Sequence, residues 1–248
     1  MTPEQKGRRS FRDELDALQG RLLEMGGIVE EVVRRAVSGF LERDQTIVDW
    51  AKREDDRIDE LEVDIDEAGL ELLALFQPMA GDLRHIISGL TLSSDLERVA
   101  DHGVNIAKAA GRIAGMPGMP AVPELVEMAE IARGMLADCL ASYIAKDAKA
   151  ARAVLARDVK VDRLRASLFR ILLTHMLEDP RRISPSLEVL LVAQNLERIA
   201  DLSTNIAEDV VFIVEGRTIK HHHEGHATPE DDEAVETQLR FPGATEAR

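Results

Sequence analysis

Residues 95–107 read DLERVADHGVNIA, and residues 195–207 read NLERIADLSTNIA. A thirteen-residue segment that returns after 100 residues, with Leu, Ile, Val and Ala at three- and four-residue steps in both copies, restricts the chain to two equivalent helical units. The correspondence extends outward. IDEL at 58–61 answers VDRL at 161–164, and Arg43-Asp44, where the first apolar stripe ends, answers Lys146-Asp147, both at an offset of 103. The three-residue difference falls in the loops around 77–81 and 178–186. Aromatic residues are only 3% of the chain, and no useful stretch alternates β-branched with polar residues, so nothing reads as a strand.

Proline and glycine clusters at QPMAG (77–81), GMPGMPAVP (115–123) and EDPRRISPS (178–186) divide the helical pattern. Six helices are predicted, at roughly 8–44, 46–76, 81–114, 122–146, 149–178 and 184–216. Short connections favour antiparallel neighbours. The expected fold is all-α: two tandem, pseudo-symmetric antiparallel three-helix bundles of six long helices, the first over 1–116 and the second over 117–216. The remainder, 217–248, reads as a disordered acidic tail containing His221, His222, His223 and His226. Gly26 and Gly27 weaken the first helix and are expected to bend it.

At 248 residues with 45% apolar side chains the chain can bury a sizeable core. The one cysteine, Cys139, cannot close a disulfide within the chain, which suits a reducing compartment, and its apolar neighbours make it a buried spectator. A net charge of -15 argues against nucleic-acid binding and against anionic lipid. The amino terminus has no apolar signal region, and no apolar run approaches the roughly 20 residues of a membrane span. A cytoplasmic protein without membrane insertion is expected. Gly-rich phosphate loops, GxSxG, a Cys/His pair at catalytic spacing and a basic helix-turn-helix are all missing from the sequence.

The repeated segment carries a cost. Glu97 and Asp101 stand four residues apart, as do Glu197 and Asp201, and like charges at that spacing cost an isolated helix a few tenths of a kcal/mol. At about 100° per residue, Glu97 and Asp101 fall about 100° and 140° from Leu96, bordering the apolar stripe rather than opposing it. Asp55 and Asp59 border the stripe of the preceding helix in the same way, and Asp158 and Asp162 do so in the second half. Folding each helix pair about its loop sets Asp59 between Glu97 and Asp101, and Asp162 between Glu197 and Asp201. Each half then gathers four carboxylates at one level.

Carboxylates that close cannot all stay ionised without a counter-charge. Oxygen-only ligands suit Mg²⁺, Mn²⁺, Ca²⁺ and iron, and acids projecting from facing helices hold di-metal centres in other bundles. The competing reading is a solvated acidic face, with Arg98 and Arg198 neutralising part of the charge. No Glu-x-x-His accompanies either LER segment, which weakens a redox di-iron reading.

With LERVAD and NIA answered by LERIAD and NIAEDVVFIVEG, DLR at 82–84, and acids ahead of IDEL and VDRL, the chain resembles the PhoU family over roughly residues 8–217. The resemblance implies two similar three-helix bundles whose acidic motifs bind divalent or trivalent metal ions, as multinuclear iron or zinc clusters. Carried over by position, the ligands are Asp55 and Asp59 with Glu97 and Asp101, and Asp158 and Asp162 with Glu197 and Asp201, with Asn105 and Asn205 as weaker additions. It also implies a cytoplasmic adaptor that is not an enzyme. Such an adaptor links the ATPase subunit of a phosphate ABC transporter to a sensor histidine kinase, represses the phosphate-starvation response and recurs as a homodimer. Two rival readings are a carboxylate-bridged metalloenzyme and a metal-free structural adaptor. The halves differ at Glu62 against Arg165 and at Lys108 against Glu208. His85, His102 and His175 stand alone in sequence, and the lone Trp50 and Tyr143 are expected to pack in the core or an interface.

Overall fold

The structure, a computed structural model, describes residues 3–118 and 120–219, with side chains from Phe11 onward. Seven α-helices follow one another: α1 (Pro3–Glu42), α2 (Ile47–Phe76), α3 (Gly81–Ile113), α4 (Pro123–Ala145), α5 (Ala148–Leu155), α6 (Asp158–Glu178) and α7 (Ile183–Glu215), with a 3-10 turn at Pro180–Arg182. There is no strand among the described residues. The fold is all-α with six long helices, as the periodicity predicts. Of the predicted tail, 220–248 lie outside the described residues, and with them His221, His222, His223 and His226.

α1, α2 and α3 pack on one another, α4 to α7 pack on one another, and α3 lies against α7 where the two sets meet. The apolar stripes read from the sequence are the buried ones. Ile58, Ile65 and Leu72 of α2 share one continuous hydrophobic core with Leu96 and Val99 of α3, and with Val161 and Leu168 of α6 and Leu196 and Ile199 of α7. Cys139 is buried in that core, where loss of hydration holds its thiol well above the ordinary range. Tyr143 is buried with its ring stacked on His85 at 5.7 Å. Trp50 lies half-buried beneath the Arg35 guanidinium, 4.6 Å from the ring centre.

One expectation needs correction. The predicted helix 149–178 is two helices, broken at Ala156 and Arg157. There the backbone turns through i→i+3 bonds, Arg157 N–H to Val154 O and Lys160 N–H to Arg157 O, each 3.0 Å. No proline or glycine marks the break. At the break the Arg157 guanidinium forms an ion pair with Asp138 on α4. Asp147 caps the short α5 by accepting from the amides of Lys149 and Ala150. In the first half α2 runs unbroken through the equivalent positions.

Gly26 and Gly27 lie inside the unbroken α1. Gly26 is a packing residue: a Cβ there would stand 3.2 Å from Leu140 Cδ1 of α4. Gly103 has the same role where α3 crosses α1, since an added Cβ would come within 2.8 Å of Val32 Cγ1. Val32 is buried and β-branched and has little room to yield. Gly103→Val is therefore expected to cost about 2 kcal/mol or more by overpacking. Its midpoint in a urea titration should fall well below that of the parent, and an unchanged midpoint would show that α1 and α3 can separate freely.

Two polar contacts join α3 to α7. The Arg112 guanidinium donates to both carboxylate oxygens of Glu188, at 2.8 Å each. His102, alone in sequence, has Nδ1 2.9 Å from Asn195 Oδ1.

Candidate metal centre

Ile58 and Leu96 are buried to the last atom and fix the rotation of α2 and α3 about their axes. That places Asp55, Asp59 and Glu62 on α2 along the same rim as Glu97 and Asp101 on α3, half-buried at Asp55, Glu62 and Glu97 and exposed at Asp59 and Asp101. These groups feel one another's charge. Burial, then the charges of Asp101, Glu62, Asp59 and Asp55, push the Glu97 carboxyl up to about 7. Burial followed by the charge of Asp101 raises both Asp55 and Asp59. Glu62 is raised by burial and by Asp66 and Asp59, against a hydrogen bond from Ser94. The four predicted acids of the first half thus lie within electrostatic range of one another. Glu62 joins them, and its i,i+3 spacing from Asp59 is the signal that could have placed it there.

Among the described residues, no three His, Cys, Asp or Glu side chains converge closely enough to enclose a metal ion as they stand. The cluster is an acidic rim at electrostatic range. Its donor set is all oxygen and strongly anionic, which matches hard and borderline polyvalent cations.

The second half assembles differently. Glu197 feels the charges of Asp201 and Asp162, and Asp158 opens α6. Burial raises Glu197, but Arg165, donating to it at 2.8 Å, opposes the shift. Arg198 pairs with Asp201 at 3.2 Å. The counterpart of Arg198 in the first half, Arg98, turns the other way and pairs with Asp95 at 3.2 Å. The reason is one residue. Position 195 is Asn, whose amide donates to Leu191 O at 2.7 Å and whose oxygen meets His102, so it offers Arg198 no charge. The first cluster has Lys108 acting on Asp55 but, among the described residues, no arginine paired with its four predicted acids, whereas the second is largely neutralised by Arg165 and Arg198. Asn105 is exposed and Asn205 half-buried, one turn beyond Asp101 and Asp201.

A titration follows from Glu97. Its folded value lies above the ordinary 4.5, so between about 4.5 and 7 the unfolded chain releases a proton that the folded chain retains. Stability from this group is full below 4.5 and is lost as the pH rises through 7. Metal-free protein should melt higher at pH 5 than at pH 8, by about 1–2 kcal/mol after allowance for solvent screening. Glu97→Gln should flatten that window, and an equal slope in the variant would exclude Glu97 as its source.

The comparisons with known proteins agree with this architecture. A family model described as "PhoU domain" matches twice, at residues 22–110 and 125–210. The PhoU homolog of Zymomonas mobilis, called a phosphate-specific transport system accessory protein, is 36% identical over 217 residues, covering 88% of this chain and 92% of its own. The homolog from Caulobacter vibrioides is 38% identical over 212 residues, 85% of this chain and 92% of its own. The crystal structure of PhoU from Pseudomonas aeruginosa superposes with a TM-score of 0.80 at 35% identity, covering 84% of this chain and 100% of that one. The phosphate transport system regulatory protein PhoU from Streptococcus pneumoniae gives 0.78 at 29% identity, over 84% and 99%. No helix among the described residues is long and apolar enough to cross a membrane. Two copies of one domain, a matching helical fold and relatives covered almost end to end make this chain a member of the PhoU family of phosphate-transport accessory proteins.

Proposed function

We propose that this protein is a cytoplasmic, metal-binding adaptor that represses the phosphate-starvation response, standing between the ATPase subunit of a phosphate ABC transporter and a sensor histidine kinase, and acting as a homodimer rather than as an enzyme. Family membership supports the phosphate-transport setting. The observation that carries the metal-binding part is the first-half carboxylate cluster, which has no arginine directed into it.

Asp55, Asp59, Glu97 and Asp101 would hold the ion, divalent or trivalent, with iron or zinc in a multinuclear cluster as the leading candidates and Mg, Mn or Ca as others. Bound there, a polyvalent cation supplies the missing counter-charge and ties α2 to α3. The chain's own part is to hold the acids level: Ile58 and Leu96 set the helix rotations, and Ser94 orients Glu62. Asp158, Asp162, Glu197 and Asp201 form a second, weaker site that must first displace Arg165 and Arg198.

Deleting the gene in its native host tests the regulatory role. Phosphate-starvation genes should switch on in phosphate-rich medium, and their continued silence would refute it. Elemental analysis of protein purified without added metal tests the cofactor separately, with metal-free protein as the adverse result.

A further inference from the structure

A groove of about 970 Å³ runs between α6 and α7, away from the acidic rim of the first half. Its floor is apolar and open: Phe169 is 54% exposed, Leu187 49% and Leu191 44%. Two of these three have no apolar counterpart in the first half, where the positions equivalent to Phe169 and Leu191 are Asp66 and Thr91. Charge differs in the same sense. α2 carries eleven acidic and three basic residues, whereas α6 carries three acidic and four basic. At one end the groove includes Asp162, Glu197 and Arg165 of the second acidic site, with Arg165 paired to Glu197, while Arg170 lines it without a paired acid among the described residues and Arg163 stands exposed on the same helix. On a chain of net charge -15, this is a face an acidic, partly apolar segment can approach.

The chain supplies such a segment. Residues 230–236, EDDEAVE, hold five acids and no base, and Leu239 and Phe241 follow. The segment lies beyond the second PhoU domain match, which ends at 210, and the Pseudomonas aeruginosa protein is matched in full while a sixth of this chain is left over. Length permits the contact. From Glu215 back to Leu190 along α7 is about 37 Å at 1.5 Å per residue. Asp231 lies twelve residues past Ile219 and can reach about 40 Å, and Leu239 about 66 Å, at roughly 3.3 Å per residue. The acidic face of α2 repels the same segment.

We propose that the α6–α7 groove is the docking site of this chain's own carboxyl-terminal segment, with residues 230–236 along Arg163 and Arg170, and Leu239 and Phe241 on the floor made by Phe169, Leu187 and Leu191. The segment then covers an apolar face on the half whose acidic site is already paired with arginine.

The test uses the full chain carrying a nitroxide at Ala244→Cys, which labels selectively because Cys139 is buried. Paramagnetic broadening of the Leu187 and Leu191 methyl signals should exceed that of the exposed Leu70 and Leu75 on α2 several-fold. Arg170→Glu, an exposed change that leaves the core intact, should reduce the excess, and so should raised salt, which screens such pairing. Equal broadening on α2 and α7, or none on either, overturns the proposal. So does broadening that appears only when spin-labelled chains are mixed with separate isotope-labelled ones, because the occupant is then a second copy.

Discussion

Replacing Glu97 by Gln together with Asp101 by Asn should lower the affinity for a polyvalent cation by about 100-fold or more, whereas Glu197→Gln with Asp201→Asn should change the tightest site by less than about tenfold. The four residues occupy repeat-equivalent positions and look interchangeable in the sequence. The structure separates them by what stands beside each pair. Glu97 faces Asp101, Glu62, Asp59 and Asp55, and Arg98 is held by Asp95 on the same helix. Glu197 and Asp201 each hold an arginine. A cation entering the first half relieves repulsion, while one entering the second must break two ion pairs before it gains a ligand. Titration calorimetry with Mn²⁺ or Zn²⁺ on the two double variants measures the difference. Asn195→Asp extends the argument, because an acid at 195 should draw Arg198 off Asp201 as Asp95 draws Arg98, and so strengthen the second site. Equal losses in the two halves would refute the asymmetry.

Arg112→Met should destabilise the protein by about 3 kcal/mol, since it strands the buried Glu188 carboxylate at the α3–α7 junction. Glu188 is only 8% exposed and accepts both of its 2.8 Å hydrogen bonds from Arg112. In a chain of this size that corresponds to a melting point lower by roughly 6–12 °C. Adding Glu188→Leu removes the unpaired charge and should recover most of the loss, because two apolar residues replace a buried pair at little net cost. Calorimetry on the single and double variants separates this from a simple loss of surface charge. A single variant that melts with the parent would mean that water already satisfies Glu188.

The acidic site was legible in the sequence wherever its information is local. The doubled LER segments, the i,i+4 acids and the stripes through Ile58, Leu96, Val161 and Leu196 fix which side of each helix is buried and therefore where the bordering carboxylates emerge. Glu62 was visible as a difference between the halves, but its membership of the cluster depends on Ser94 and Asp59 lying beside it in the fold.

By itself the sequence determined an all-helical chain built on a repeat, its loops at 77–80 and near 180, and the rim on which the acids of α2 and α3 stand. Helical periodicity and chain reversal are properties of neighbouring residues, and both halves state them twice. Only the tertiary structure decided the break at Ala156 and Arg157, where Arg157 pairs with Asp138 on another helix, and the unequal neutralisation of the two acidic sites. A long arginine side chain has several acids within reach, and which one it takes depends on the groups that packing brings alongside it, such as His102 against Asn195. That choice is made between helices far apart in the chain, so no local pattern records it.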